Sequence, residues 1–185
     1  MFVTLASTPL NNAYVGSYFV RKDSRGSFSR FFSAEELKEI LGQRNVVQIN
    51  HSYTAKKGSI RGMHFQRQPH AEAKIVRCIR GRVWDVAVDL RPSSPSFLKW
   101  HGVELSAEAA NFYLIPEGCA HGFQTLTDDC ELLYLHTASY APQSEGGVSF
   151  DDPKLGIKWP LPAIELSERD LNWDKIDSSF LGIDV

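Results

Sequence analysis

Three short segments of this 185-residue chain combine titratable side chains with apolar, strand-like neighbours. The first is Arg61-Gly62-Met63-His64-Phe65-Gln66, in which His64 stands between two apolar residues. An imidazole titrates near neutral pH, so His64 could take up or release a proton during a reaction. A lone histidine in a strand is also common as a structural residue, and the segment alone leaves both interpretations open.

The second segment is Pro116-Glu117-Gly118-Cys119-Ala120-His121-Gly122-Phe123. A Pro-x-Gly-x-x-His turn that enters a strand is typical of cupin-type jelly rolls, which place this histidine at the barrel mouth. Metal-binding cupins add a His-x-His pair, which this sequence lacks. His64 and His70 are too far apart along a strand to hold one metal ion. We therefore predict no metal, with His121 in the pocket or in a supporting structural role.

The third set consists of charged residues on neighbouring predicted strands. Lys74 precedes Ile75-Val76-Arg77, and Asp85 and Asp89 share one face of a later strand. Near the two histidines these charges could serve a reaction. The alternative is that Asp85 and Asp89 face solvent or pair with some of the many arginines.

Alternating hydrophobicity predicts the strands that position these residues. In residues 83–90, Trp84, Val86, Val88 and Leu90 share one face, opposite Asp85, Ala87 and Asp89. Residues 75–79 are expected to run into this strand through a hairpin turn at residues 80–82. Further strands are predicted at residues 111–115 and 131–136. Many short strands separated by Gly and Pro turns predict one all-β domain over residues 1–185, a sandwich or barrel.

One clear helix is predicted to begin at Ser33. Ser33 and Glu36 fit a capping box, Phe32 and Leu37 a hydrophobic staple, and Gly42 a stop. We expect this short amphipathic helix to cover an edge of a sheet. Residues 151–185 are richer in Pro, Asp and Trp, and are expected to wrap over the barrel with a short helix near residues 167–172.

Composition excludes several classes of protein. A net charge of −2 gives no broad electrostatic footprint for nucleic acid. The three cysteines are odd in number and form no Cys-x-x-Cys pair, which argues against a disulfide framework or a structural zinc and for a reducing compartment. No apolar stretch has the length of a membrane span, and the first residues lack a basic leader. We expect a cytoplasmic protein that binds neither membranes nor nucleic acid.

An ordered set of motifs resembles the dTDP-4-dehydrorhamnose 3,5-epimerase family. Each motif is weak alone, but their order from about residue 15 to residue 170 is specific. The motifs are Asp23-x-Arg25-Gly26, Gln48-x-Asn50, residues 61–66, Ala73-Lys74-Ile75-Val76-Arg77, residues 85–91, residues 115–123, Tyr134, Tyr140-x-Pro142, Asp151-Asp152-Pro153, Trp159-Pro160 and Leu166-Ser167-x-x-Asp170. The resemblance implies a homodimeric cupin-type jelly-roll β-barrel that needs no cofactor.

The resemblance also implies a reaction and a set of site residues. The substrate would be a nucleoside-diphosphate 4-keto-6-deoxy sugar, inverted at C3 and C5 in deoxysugar and O-antigen biosynthesis. His64 matches the family's base, Asp170 the partner that orients it, Tyr134 the acid on the opposite face, and Lys74 the residue that stabilises the C4 oxyanion. The implied substrate-binding residues are Arg25, Phe28, Arg30, Gln48, Asn50, Arg61 and His121.

One position departs from the family pattern. The family commonly has Arg-Gly-x-Phe-x-Glu, whose glutamate helps to recognise thymine, whereas this chain has Arg30 at the last position. A carboxylate accepts from the thymine N3–H, and a guanidinium can donate to cytosine N3. Arg30 therefore suggests a CDP-linked substrate, unless its side chain points elsewhere.

Three other functions remain open at this stage. The chain could invert only C3 or only C5, it could be a non-catalytic cupin that binds sugar nucleotides, or it could be a metal-dependent cupin. The presence of His64, Lys74, Tyr134 and Asp170 favours catalysis over binding alone. The missing His-x-His pair argues against the metal enzyme.

Overall fold

A computed structural model describes residues 3–185. Met1 and Phe2 lie outside the described residues, and part of the expectation about a leader rests on them. The strands are β1 Val3–Ser7, β2 Tyr14–Tyr18, β3 Val20–Asp23, β4 Gly26–Ser29, β5 Gln48–Thr54, β6 Ile60–Gln66, β7 Lys74–Arg80, β8 Arg82–Asp89, β9 Trp100–Ser106, β10 Asn111–Ile115, β11 Cys119–Thr125, β12 Cys130–His136 and β13 Glu145–Gly147. The helices are α1 Lys38–Leu41 and α2 Glu168–Leu171, with a 3₁₀ turn at Pro142–Ser144. Neither helix is long enough to cross a membrane.

Two antiparallel sheets face each other. The first has the strand order β1-β2-β10-β7-β12-β5 and the second β13-β6-β11-β8-β9. Val76, Tyr113 and Leu132 of the first sheet pack against Ala87 and Phe123 of the second, all of them buried. Apolar side chains at every second position of each strand thus form a core between the sheets, which confirms the predicted all-β jelly-roll barrel.

The outer face of the five-stranded sheet is covered by the C-terminal segment. Val86 and Val88 of β8 point outward and pack with Leu155, Ile176 and Ile183. The predicted wrap is therefore correct, and the alternation predicted for β8 is correct as well. The short helix predicted near residues 167–172 is α2, whose first N–H groups are capped because the Ser167 hydroxyl accepts from the Asp170 N–H at 3.1 Å.

The N-terminal helix is shorter than predicted and lies elsewhere. The Glu36 N–H donates to the Ser33 hydroxyl at 3.4 Å, as in half of a capping box, but residues 34–37 form turns and α1 begins only at Lys38. The Glu36 side chain pairs with Arg30 instead of returning to the cap. Leu37 and Leu41 pack on the outer face of the six-stranded sheet and not at its edge.

The hairpin predicted between residues 75–79 and 83–90 is wrong. Both edges of β7 are occupied by β10 and β12, and both edges of β8 by β9 and β11. The chain instead passes from one sheet to the other at Gly81, which has a φ of 76°. A side chain at Gly81 would meet the Cys130 sulfur at 2.8 Å, so only glycine fits this crossing.

Candidate active site

One mouth of the barrel opens into a cavity of about 510 Å³ between the two sheets. The five-stranded sheet contributes β6 and β11, and the six-stranded sheet contributes β5, β7 and β12. The cavity is lined by Gln48, Asn50, His51, Ser52, Arg61, His64, Phe65, Gln66, Glu72, Lys74, His121, Phe123, Tyr134, His136, Tyr140, Glu145, Ser167, Arg169 and Asp170. A sugar nucleotide needs such a concave, mixed polar and apolar site.

His64 on β6 is held by Asp170 on α2. The His64 Nε2 lies 2.5 Å from the Asp170 Oδ1, and the Gly62 N–H donates to the other carboxylate oxygen at 3.4 Å. Burial alone would raise the pKa of Asp170, but the hydrogen bond and charge of His64 bring this pKa below its usual range. If Nε2–H donates to Asp170, Nδ1 carries the lone pair that can accept a proton.

Tyr134 on β12 stands on the opposite wall. Its hydroxyl is 2.9 Å from the Ser52 hydroxyl, and its ring meets the His121 ring edge-on at 6.0 Å between centroids. Burial raises the pKa of Tyr134 well above its ordinary value. The phenol therefore remains protonated at neutral pH and can donate a proton into the cavity.

Lys74 is held by Glu72, which is held in turn by His136, and neither of these two residues was identified from the sequence. The Lys74 ammonium lies 2.9 Å from one oxygen of Glu72, and the His136 Nδ1 lies 2.7 Å from the other. Burial opposes ionisation of Glu72, but the charge of Lys74 and the hydrogen bond from His136 prevail and lower its pKa to about 2. The sequence contains an indication of His136, because it is two residues after Tyr134 and therefore lies on the same face of the strand.

His121 is buried and paired with Asp85. The His121 Nε2 lies 2.9 Å and 3.1 Å from the two Asp85 oxygens, and Asp85 is fully buried. Burial raises the pKa of Asp85 and lowers that of His121. The expectation that Asp85 faces solvent or pairs with arginine is wrong, because its alternating position points it into the barrel. Asp89 does pair with an arginine, the Arg91 beside it, at 2.7 Å.

The rim carries polar groups suited to a nucleotide. Arg61 donates to the Thr54 hydroxyl at 3.0 Å and to the Tyr53 carbonyl at 3.2 Å. Gln48 and Asn50 are hydrogen-bonded to each other at 3.0 Å on β5. Gln48, Asn50 and Arg61 line the cavity, and their role in binding stays a prediction.

A second rim cluster was not identified from the sequence as part of the site. Arg169 donates to both oxygens of Glu145, at 3.0 and 2.9 Å, and its other terminal nitrogen is 3.3 Å from the His64 Nε2. The Tyr140 hydroxyl donates to Glu145 at 3.2 Å. In the sequence, Tyr140 stands out only as part of a family motif. The position of Arg169 directly before Asp170 is a weak indication that it belongs to the site.

Three predicted substrate-binding residues do not line the cavity of their own chain. Arg25, Phe28 and Arg30 are on or beside the β3–β4 ribbon, which pairs with neither large sheet. Arg25 is ion-paired with Asp23, Arg30 lies 2.9 Å from Glu36, and Phe28 is 76% exposed. Their role in binding stays a prediction.

The described part of the chain, residues 3–185, has no group of three or more His, Cys, Asp and Glu side chains arranged to hold a metal ion. His70, the other histidine considered for such a site, is hydrogen-bonded to the Ser144 hydroxyl at 2.9 Å. Independence from a metal stays a prediction for solution experiments.

Comparison with known proteins shows that this chain is similar to sugar-nucleotide epimerases. Residues 7–178 match the model of the family described as dTDP-4-dehydrorhamnose 3,5-epimerase. The enzyme of that name from Salmonella typhimurium is 45% identical over 161 residues, which are 86% of this chain and 87% of the relative.

Solved structures agree with this match. The dTDP-6-deoxy-D-glucose-3,5-epimerase of Legionella pneumophila, in complex with dTDP-4-keto-L-rhamnose, has a TM-score of 0.91 and 36% identity, with 99% of both chains covered. A 3'-monoepimerase from Streptomyces bikiniensis, in complex with dTDP-quinovose, has a TM-score of 0.84 and 34% identity, with 91% of this chain and 85% of that chain covered.

Proposed function

Because the chain belongs to the dTDP-4-dehydrorhamnose 3,5-epimerase family, a family of isomerases, we propose that its cavity inverts C3 and C5 of a dTDP-linked 4-keto-6-deoxy sugar. The observation that carries this proposal is the placement of His64 and Tyr134 on opposite walls of one cavity. Inversion needs a base on one face of the carbon and a proton donor on the other, and the two sheets supply one each.

The hydrogens at C3 and C5 are acidified by the C4 ketone between them. His64 takes one of them, and Asp170 stabilises the imidazolium that forms. The resulting enolate carries its charge on the C4 oxygen, where the Lys74 ammonium and the His121 ring offer positive charge or a hydrogen bond. Tyr134, kept protonated by burial, then returns a proton from the opposite face.

The nucleotide side of the substrate belongs at the rim. Arg61 can donate two parallel hydrogen bonds to a diphosphate, and Gln48 and Asn50 offer amide groups to a nucleobase. A dTDP-linked sugar is the assigned substrate because the names of the relatives give dTDP sugars as theirs. The CDP alternative rests on Arg30. Its guanidinium is ion-paired with Glu36, which makes it less available to bind a cytosine.

The protein acts as a homodimer in this proposal. Strand β5 is an edge of the six-stranded sheet, and Ile49 and Tyr53 on it are 61% and 49% exposed. The ribbon with Phe28 and Arg25 is separate from its own cavity. A second copy that covers the edge could place its ribbon over the cavity rim, and this would give Arg25, Phe28 and Arg30 their predicted contacts.

The enzyme is assigned to deoxysugar biosynthesis in the cytoplasm. The three cysteines are free and buried, as in proteins of a reducing compartment. Sedimentation equilibrium would test the dimer: a monomer at working concentration would remove the proposed contribution of the ribbon.

Proton NMR in deuterated water with dTDP- and CDP-4-keto-6-deoxyglucose would test the reaction. We expect deuterium to enter the dTDP sugar at both C3 and C5 with the wild-type protein, and at neither carbon with His64→Gln. Exchange at one carbon would assign the mono-epimerase function, which the likeness to the Streptomyces bikiniensis enzyme favours as the second candidate. Faster exchange with the CDP sugar would overturn the nucleobase assignment, and no exchange with either would overturn the reaction.

A further inference from the structure

Glu72 bridges Lys74 and His136 in the wall of the cavity. Its carboxylate accepts from the Lys74 ammonium at 2.9 Å and from the His136 Nδ1–H at 2.7 Å, and the three side chains are between 7% and 11% exposed. Charge pairs in such low-dielectric surroundings hold a fixed geometry, because leaving either partner unpaired is costly. Glu72 thus determines where the Lys74 ammonium lies.

The contacts of His136 continue from Glu72 toward the rim. The Asn50 side chain is 3.4 Å from the His136 Nε2, the Gln48 side-chain amide donates to Asn50 at 3.0 Å, and the Tyr140 backbone N–H donates to Gln48 at 3.0 Å. The His136 Nδ1–H faces the Glu72 carboxylate, which can only accept, and Nε2 faces the Asn50 side-chain nitrogen, which can only donate. A continuous hydrogen-bonded chain therefore joins the rim to Lys74.

The backbone next to Glu72 and the backbone next to His136 are hydrogen-bonded to each other. The Ala73 N–H donates to the Thr137 hydroxyl at 2.9 Å, and the Thr137 N–H donates to the Ala73 carbonyl at 3.0 Å. His136 is also the register partner of Lys74 across β12 and β7, and its ring stacks on Tyr134 at 6.1 Å. Neither Glu72 nor His136 can move without displacing a residue of the proposed reaction.

We propose that Glu72 and His136 are positioning residues for the epimerisation, through which contacts at the nucleotide rim set the place of the Lys74 ammonium at the C4 oxygen. The inference rests on the proposed function. Glu72 acts through Lys74, and His136 acts through Glu72 and through Asn50. The enzyme thereby links binding of the nucleotide, remote from the reacting carbons, to stabilisation of the enolate.

Lys74 is faced by Glu72 and His136 at its own sheet, and by Asp85 and His121 across the barrel. Of these groups, Glu72 forms the direct ion pair with the Lys74 ammonium, at 2.9 Å. A substitution that removes only the charge of this carboxylate therefore tests whether Glu72 positions the ammonium.

Steady-state kinetics of three variants, with the dTDP sugar as substrate, test the inference. Glu72→Gln keeps the size of the side chain, and His136→Phe keeps a ring to stack on Tyr134. The control is Glu104→Gln, which removes an exposed ion pair with Arg82 outside the cavity. Misplacing a reacting group costs up to about 10²-fold, and we expect kcat to fall about 10- to 100-fold in the first two variants and to stay unchanged in the control.

The affinity for dTDP, measured by calorimetry, should change less than about threefold in both variants, because the loss falls on the transition state. Wild-type kcat in Glu72→Gln would overturn the inference while the proposed function stood. Parallel losses of melting temperature, dTDP affinity and kcat in both variants would reduce the pair to a structural role. An inactive wild-type protein would instead overturn the proposed function.

Discussion

His64 and Asp170 are 106 residues apart in the chain, yet the His64 Nε2 and the Asp170 Oδ1 are 2.5 Å apart. Strand β6 carries the histidine, and α2, within the C-terminal wrap, carries the aspartate. The wrap thus completes the site in addition to covering the barrel. The side chain of Asp170 is almost fully buried, whereas His64 remains accessible from the cavity.

Replacement of Asp170 by asparagine should leave the fold intact and remove most of the activity. The amide cannot stabilise the imidazolium of His64 and favours the wrong tautomer, so we expect kcat/KM to fall about 10²- to 10⁴-fold. Deuterium exchange at C3 and C5, followed by NMR, measures the loss. Asp151→Asn, an exposed residue of the same wrap paired with Lys175, is the control and should retain full activity.

Tyr134→Phe should separate exchange from inversion. His64 can still remove and return a proton on its own face, so deuterium should enter the substrate with retained configuration. Net inversion should fall at least about 10²-fold, because the donor on the opposite wall is missing. The ratio of inverted to exchanged sugar, read from one NMR series, checks this. An unchanged ratio would mean that another group donates the proton.

Glu72 should make folding stability depend on acid pH. Its pKa is near 4.5 in an unfolded chain and about 2 in the folded one, so its stabilisation is complete above pH 4.5 and is lost as the pH falls through 2. The difference in free energy of unfolding between wild type and Glu72→Gln should shrink by about 2 kcal/mol between about pH 7 and about pH 3. Urea unfolding of both proteins measures it, and a difference independent of pH would contradict the prediction.

Gly147→Ala should disturb His64 through a tryptophan. A methyl group at Gly147 would lie 2.2 Å from the Trp173 ring, and Trp173 packs edge-on against His64 at 6.2 Å between centroids. The ring must move, so we expect a loss of about 1–3 kcal/mol in stability and a lower kcat. Thermal unfolding and exchange rates measure both. The double variant Gly147→Ala/Trp173→Leu provides space for the methyl group, and its melting temperature should recover relative to the single variant.

The sequence alone was sufficient to predict which face of a strand each residue occupies and to predict part of the site. Side chains alternate between the two faces of a strand, so the pattern in residues 83–90 fixed which residues enter the core and which meet the wrap. The order of short motifs indicated the family, and with it His64, Lys74, Tyr134 and Asp170. These features depend on local periodicity or on residue identity at matched positions.

Only the tertiary structure decided which strands are neighbours and which side chains meet. Residues 75–79 and 83–90 are nearly continuous in sequence, yet they lie in opposite sheets, because Gly81 allows the crossing and the edges of both strands are occupied. The pairing of Asp85 with His121, and of Glu72 with His136, joins residues 36 and 64 positions apart. Such pairs follow from how the sheets pack, and no local pattern specifies them.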